Sequence, residues 1–158
     1  LIYSVQPDRG SVVRIESKSR FDPSHLLLEQ VSSEEFRDDL RVLVEAVGKL
    51  DDEDVPIAII LFGSVAEGKG TWKSDIDVAV IAPRWDAVSK GRIGKLVSDA
   101  CLRTKHLIKP CFLTVQQFGK ADSVLVREIR SSGMVVYCDQ YESDAIWRGM
   151  MRYKSTTR

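Results

Sequence analysis

The chain has 158 residues, enough for one domain of common size, and 44% of them are hydrophobic, so a sizeable core is available. Its 23 basic and 23 acidic residues give a formal net charge of zero, which argues against binding nucleic acid through a general basic excess. The sequence shows no apolar run of membrane-spanning length and no signal-peptide pattern, and the spacing of its three cysteines suggests no disulfide framework. We therefore expect a cytoplasmic protein with reduced thiols and no membrane association.

Residues 1–31 contain two β-rich runs on either side of a Pro-Asp-Arg-Gly turn, in the stretch YSVQPDRGSVVRI. This pattern has two interpretations. One is an N-terminal arm or hairpin that lies on the main domain, which is the more frequent arrangement at a chain terminus. The other is the wing of a truncated DNA-binding module.

A helix is predicted next. Ser32, with Glu35 three residues later, forms a capping-box pattern. Gly48 and the acidic stretch that follows it are predicted to end the helix. Apolar residues follow the cap at helical spacing: Phe36, Leu40, Leu43 or Val44, and Val47.

The remainder alternates between short strands and helices. The runs VPIAIILFG, DIDVAVIA, LIKPCFLTV and MVVYC are predicted strands, and Pro110 in the third of them favours an edge position or an irregular start. Residues 85–105 and 122–131 are predicted helices, the second ending near Gly133, and the tail from Asp139 is predicted to be helical. This order indicates a single α/β (α+β) domain in which a small mixed β-sheet is flanked by helices.

Two aspartates interrupt the apolar run DIDVAVIA. Because strand side chains alternate between faces, Asp75 and Asp77 point the same way, with Cα atoms roughly 6–7 Å apart, while Ile76 points into the core. Like charges this close favour a neighbouring cation, and a hard divalent ion such as Mg²⁺ suits oxygen ligands.

A turn at Gly63 and Ser64 precedes these aspartates. Backbone N–H groups beside a glycine can approach a phosphate without a Cβ in the way, and Ser64 adds a hydroxyl. Taken separately, an Asp-x-Asp on a strand end and a Gly-Ser turn are usually structural. Together, in a strand–loop–strand context, they favour a site for a nucleotide and magnesium.

The pattern also carries a resemblance. Gly63-Ser64, ten intervening residues and then Asp75-Ile76-Asp77 resemble the signature of the polymerase-β-like nucleotidyltransferase superfamily, and are most similar to its minimal nucleotidyltransferase branch. The later stretch LVREIRSSGMVVY is similar to the helix-then-strand ending of that family. The resemblance implies a nucleotidyltransferase domain over residues 32–138, preceded by the arm of residues 1–31 and followed by a helical tail over residues 139–158.

The resemblance implies a reaction in which a nucleophile of the acceptor attacks the α-phosphate of a nucleoside triphosphate and pyrophosphate leaves. It makes Asp75 and Asp77 the catalytic residues, as ligands of one or two Mg²⁺ ions. Gly63 and Ser64 would hold phosphates, with Ser74 and Lys73 as further nucleotide-binding residues. ATP is the expected substrate and AMP the expected group transferred, whereas the acceptor is not identified.

Two positions depart from the family pattern. The family usually has a third carboxylate on the next core strand, but IKPCFLTVQQF contains no acid, and Cys111 stands about where that acid is expected. A thiol is a poor magnesium ligand, and losing general-base help alone lowers rates about 10²- to 10⁴-fold. Glu67 also stands where the family's loop often carries a basic residue.

Three functional hypotheses follow. The chain is an active nucleotidyltransferase, or a weakened member that acts as an antitoxin-type partner of a helical toxin-type protein, or a regulatory module linked to DNA through residues 1–31. A homodimer is a further expectation, because a small domain with many apolar residues often pairs.

Overall fold

The computed structural model describes residues 2–5, 13–16, 27–51, 53–120, 122–139 and 143–156. Its centre is a four-stranded sheet in the spatial order β5-β4-β3-β6. The four strands are β3 (Ala58–Phe62), β4 (Ile76–Ala82), β5 (Ile108–Thr114) and β6 (Met134–Cys138). β3 pairs antiparallel with β4 and β6, whereas β4 pairs parallel with β5. The sheet is therefore mixed, and the predicted fold class is confirmed.

Six α-helices accompany this sheet within the described residues. They are α1 (Glu34–Val47), α2 (Gly63–Ala66), α3 (Ala87–Cys101), α4 (Val115–Lys120), α5 (Val124–Ser132) and α6 (Ser143–Thr156). A 3-10 turn, Leu28–Gln30, precedes α1.

The sheet carries a hydrophobic cluster on each face, because alternate residues of a strand point to opposite sides. Ile59 and Leu61 of β3 belong to the cluster that includes residues of α1 and α3. Ile60 and Phe62 belong to the cluster that includes residues of α4, α5 and α6. The central strands are buried on both faces, which explains why β3 reads as a continuous apolar run.

The structure corrects the predicted start of α1. Its N-cap is Ser33 rather than Ser32, and Ser33 makes no hydrogen bond to the helix through its side chain. The predicted capping box at Ser32 and Glu35 is therefore wrong. Val31 is buried just before the helix, so packing of this segment fixes the entry of the chain in place of a side-chain cap.

The short helix α4 is absent from the sequence prediction. Gln117 N donates to Thr114 Oγ1 (3.0 Å), and Thr114 N donates to Gln117 Oε1 (2.9 Å). These two bonds form a reciprocal cap in the Thr-x-x-Gln pattern, which the sequence analysis overlooked. The edge position of β5, in contrast, confirms the interpretation of Pro110.

A buried carboxylate fixes the chain where it enters β5. The backbone N–H groups of Lys105 and His106 donate to the two oxygens of Asp39 on α1, at 3.0 and 2.9 Å. The His106 ring atom Nδ1 lies 2.7 Å from Asp39 Oδ2. These contacts hold the start of β5 against α1 and so set the position of the residues that follow.

Two further strands lie near the N-terminus. β1 (Ile2–Val5) and β2 (Val13–Glu16) pair antiparallel in a separate two-stranded sheet. Residues 6–12 and 17–26, on which the arm and wing interpretations also depend, lie outside the described residues. Of the helices that the structure describes, none is long and apolar enough to cross a membrane.

Candidate functional site

The site begins where β3 meets the start of β4. In this antiparallel pair Phe62 lies opposite Asp77, so Gly63, the next residue after β3, lies beside the Asp77 side chain. Gly63 has a φ of +74°, and a Cβ added to it would lie 2.7 Å from Asp77 Oδ2. Any larger residue at this position would therefore be strained in its backbone and would collide with the carboxylate. We call this arrangement the Gly63 corner.

The residues after Gly63 form one helical turn and then the motif loop, residues 67–74. Glu67 N donates to Gly63 O (3.1 Å), and Lys69 N donates to Ser64 O (2.8 Å). A Cβ on Gly70 would lie 2.8 Å from the Phe36 ring, so the loop packs closely on α1. Ser64, half-buried at the corner, is thus held by a short, well-anchored segment.

Asp75 and Asp77, the carboxylate pair, lie at the start of β4. Asp75 immediately precedes the strand and Asp77 is its second residue, with the fully buried Ile76 between them. Both aspartates are half-buried, which agrees with side chains on the opposite side of the strand from Ile76.

Lys109 of β5 completes the charged cluster. It lies opposite Asp77 in the parallel β4–β5 register, and its Nζ forms an ion pair with Asp75 Oδ2. The hydrogen bond and the charge of Asp75 raise the pKa of Lys109 above its ordinary value, and the Asp77 charge adds to that effect. The ammonium group thus acts on both members of the carboxylate pair.

Asp77 experiences three influences. Partial burial raises the pKa of Asp77, the Lys109 charge lowers it, and the Asp75 charge raises it, with burial the largest effect and a net upward shift. An ionised Asp77 is therefore costly in the protein alone, and an added cation beside it would offset that cost.

Cys111 lies two residues after Lys109 on the same strand, opposite Ala79. Burial, and then the negative charge of Asp77, raise the pKa of the Cys111 thiol. That electrostatic coupling is consistent with a thiol on the same side of the sheet as Lys109 and the carboxylate pair. A thiol with a raised pKa stays protonated at neutral pH and is neither a good metal ligand nor a base.

Ser74 and Lys73, the other two predicted nucleotide-binding residues, make contacts within the motif loop. Ser74 Oγ accepts a hydrogen bond from Thr71 N (2.8 Å), and Lys73 Nζ lies 4.9 Å from the centroid of the Trp72 ring. Lys69 is paired with Glu67 at 3.5 Å. The part of Ser74 and Lys73 in nucleotide binding stays a prediction.

The donor set fits one hard divalent ion. Two neighbouring carboxylates suit Mg²⁺, which proteins often hold through one or two carboxylates while substrate phosphates and water complete the shell. Within the part of the chain that the structure describes, no group of three or more His, Cys, Asp or Glu residues could hold a metal ion. Among the described residues no third carboxylate joins the pair, so a second ion would have to share Asp75 and Asp77.

Lys109 is the functional candidate that the sequence analysis missed. Nothing in IKPCFLTVQQF marks this lysine, because its proximity to Asp75 depends on the register between two strands about thirty residues apart. The sequence signal that existed was indirect: Lys109 stands two positions before Cys111, and residues two apart on a strand share a face.

A model of the family described as "Polymerase beta, Nucleotidyltransferase" matches residues 46–142, more than half of the chain. The matched range includes the Gly63 corner, the carboxylate pair, Lys109 and Cys111. Among proteins with curated descriptions, none matches the chain.

The solved structures that are similar to the chain include three toxin–antitoxin structures. A toxin–antitoxin structure with AMP-PNP is 22% identical, with a TM-score of 0.45, and the match covers 76% of this chain and 85% of the other. A tri-AMPylated Shewanella oneidensis HEPN toxin in complex with an MNT antitoxin gives 20% identity, a TM-score of 0.44, and 75% and 86% coverage. A mutant of the toxin–antitoxin pair MntA-HpeT gives 20% identity, a TM-score of 0.43, and 76% and 84% coverage.

The Gly63 corner predicts a difference between two glycine substitutions. Gly63 and Gly68 share a positive φ, but a Cβ on Gly68 would have open space around it. Gly68→Ala should therefore cost about 1–2 kcal/mol of folding stability through its backbone alone. Gly63→Ala should cost about 1–3 kcal/mol more, because the added methyl group displaces Asp77. Urea denaturation of both variants measures the difference, and equal losses would show that the close approach is not maintained.

Proposed function

Because the chain belongs to the polymerase β nucleotidyltransferase family, we propose that it binds a nucleoside triphosphate with Mg²⁺ and transfers the nucleoside monophosphate to an acceptor, releasing pyrophosphate. The observation that carries the proposal is the Gly63 corner, where a glycine that tolerates no side chain faces the carboxylate of Asp77. This juxtaposition is expected if a phosphate group must lie close to the backbone and to the cation at once.

Each residue has a distinct part in the proposed reaction. Gly63 leaves its backbone open to a phosphate, and the Ser64 hydroxyl donates a hydrogen bond to one of the phosphate oxygens. Asp75 and Asp77 would hold the magnesium ion, which when bound neutralises phosphate charge and orients the triphosphate. ATP is the expected substrate and the cytoplasm, where thiols stay reduced, the expected compartment.

Proton removal from the acceptor is the weakest part of this machinery. The protonated Cys111 thiol cannot take up the proton of an attacking hydroxyl, and its strand supplies no carboxylate. The proton of the acceptor would therefore pass to a group outside this strand or to solvent. We expect slow transfer combined with ordinary nucleotide binding.

The proposal predicts that the carboxylate pair controls turnover. With ATP and Mg²⁺, the wild-type chain should release pyrophosphate, and Asp77→Ala or Asp75→Ala should lower that rate about 10²-fold or more, because the ion loses a ligand. Asp99→Ala is the matched control, since Asp99 is an exposed carboxylate on α3 that pairs with Lys95. Equal pyrophosphate release by the wild type and Asp77→Ala would contradict the proposal.

A second prediction concerns the number of ions. Titration of Mn²⁺ in the presence of α,β-methylene-ATP should give one bound ion per chain for the wild type. Cys111→Asp should bind two and transfer about 10²-fold faster, since it supplies the missing acid. Cys111→Ser, which is similar in size but carries no acid, should stay at one ion. Two ions in the wild type would show that the third carboxylate is not needed.

Partner binding is a second candidate function, favoured by apolar side chains that remain exposed. α5 and α6 pack against each other, and while Ile146 and Met150 anchor α6 in the core, Trp147 is 42% and Met151 64% exposed. Val124 on α5 is 74% exposed. We propose that these helices bind a helical, toxin-type protein as an antitoxin would. Homodimer formation and DNA binding through residues 1–31 remain expectations from the sequence.

The partner proposal is tested by isolating the tagged chain from its native host. A predominantly helical protein should co-purify with the wild type, and the double change Trp147→Ala and Met151→Ala should reduce its recovery about tenfold or more, as expected when exposed anchors are removed. Leu102→Ala removes an exposed apolar side chain at the end of α3 and serves as the control. Absence of any co-purifying protein, or equal recovery with all three chains, would contradict the proposal.

A further inference from the structure

The ion pair between Lys109 and Asp75 engages a carboxylate that the proposed metal ion would also bind. Lys109 Nζ contacts Asp75 Oδ2, and its residue lies opposite Asp77 across the β4–β5 register. Two carboxylates and one ammonium leave this cluster with one negative charge instead of two. A divalent ion that binds both carboxylates therefore competes with the ammonium group for the charge of Asp75.

The other lysines near the site are engaged elsewhere. Lys69 pairs with Glu67 in the motif loop, and Lys73 lies over the Trp72 ring. Among the described residues, Lys109 is thus the cation in direct contact with the carboxylate pair. Its side chain is 55% exposed, so it has room to turn away from Asp75 without leaving a buried charge behind.

A triphosphate changes this balance. Its oxygens offer the ammonium group a new anionic partner at the moment when the metal ion claims Asp75. The metal ion and the nucleotide would then each remove an obstacle for the other, which is positive coupling between two ligands at one site.

We propose that Lys109 is a resident cation of this site: it blocks Asp75 in the free protein and passes to a phosphate oxygen when the metal-bound triphosphate enters. This inference rests on the proposed function and adds Lys109 to the residues that would bind the triphosphate. If Lys109 acts in this way, binding of a metal ion depends on the nucleotide. The lysine then also supplies one positive charge beside the carboxylate pair.

The test measures Mn²⁺ binding without nucleotide, from the electron paramagnetic resonance signal of the free ion. Lys109→Met keeps a long unbranched side chain and removes the charge, so Mn²⁺ should bind about two- to fivefold more tightly than to the wild type, the range that one partly exposed ion pair supports. Calorimetry in saturating Mn²⁺ should show α,β-methylene-ATP binding at least about threefold more weakly, because the phosphate loses a partner.

Lys105→Met is the matched control. Lys105 is also an exposed lysine, lies four residues earlier, and pairs with Glu35 at 2.9 Å, away from the carboxylate pair. Lys105→Met removes the same charge, but from a lysine that pairs with Glu35 instead of Asp75. Its Mn²⁺ and nucleotide affinities should therefore equal those of the wild type. Circular dichroism of each variant verifies that the fold is kept.

Three results would overturn the inference. Mn²⁺ affinity that is unchanged or weaker in Lys109→Met would show that the ammonium does not block Asp75. Equal changes in Lys105→Met would reduce the effect to net charge. Tighter Mn²⁺ binding with unchanged nucleotide affinity would rule out transfer to phosphate. Failure of the wild type to bind α,β-methylene-ATP would end the proposed function and the transfer step with it, whereas the Mn²⁺ measurement would still decide the blocking step.

Discussion

The close approach of Gly63 to Asp77 is the constraint on which this site depends. Antiparallel pairing of β3 with β4 brings the end of one strand against the start of the next, and only a residue without a Cβ fits between them. Once that contact exists, the chain leaves β3 in a left-handed conformation and turns at once into α2. The residues proposed to hold the phosphate and those proposed to hold the cation therefore come from one strand pair and do not require two separate elements to meet.

The charges in this corner favour ligand binding over stability of the protein alone. Partial burial and the neighbouring Asp75 disfavour an ionised Asp77, and Lys109 offsets only part of that effect. Residues that are unfavourable in the free protein but favourable with a ligand are characteristic of functional sites. A structural explanation for the two aspartates would instead require cations that neutralise both fully or a place for both at the surface. Asp75 meets both conditions in part, since it pairs with Lys109 and its side chain is 37% exposed, whereas burial still raises the pKa of Asp77.

The sequence predicts those features that depend on local pattern. The strands β3 to β6 and the helix α5 follow from runs of apolar residues bounded by proline, glycine or serine, and the carboxylate pair follows from the alternation of faces in β4. Lys109 could not be found in this way, because its contact with Asp75 depends on the parallel register of β5 beside β4. That register depends in turn on Asp39, which holds residues 105 and 106 against a helix more than sixty residues earlier. The start of α1 shows the same limit, since packing of Val31 replaced the cap that the pattern at Ser32 indicated.

The absence of an acid on β5 and the presence of Lys109 on that strand both affect the charge balance around the carboxylate pair. An acid at position 111 would bring a third negative charge beside Asp75 and Asp77, and one divalent ion with the Lys109 ammonium group would then only neutralise the three carboxylates. With a protonated thiol there instead, the same two cations would also offset part of the triphosphate charge. This arrangement leaves no general base on β5, because neither a thiol with a raised pKa nor an ammonium group can accept a proton from the acceptor. If the proposed function holds, binding and catalysis are separated in this site, because the Gly63 corner and the carboxylate pair would hold the nucleotide without a base on β5.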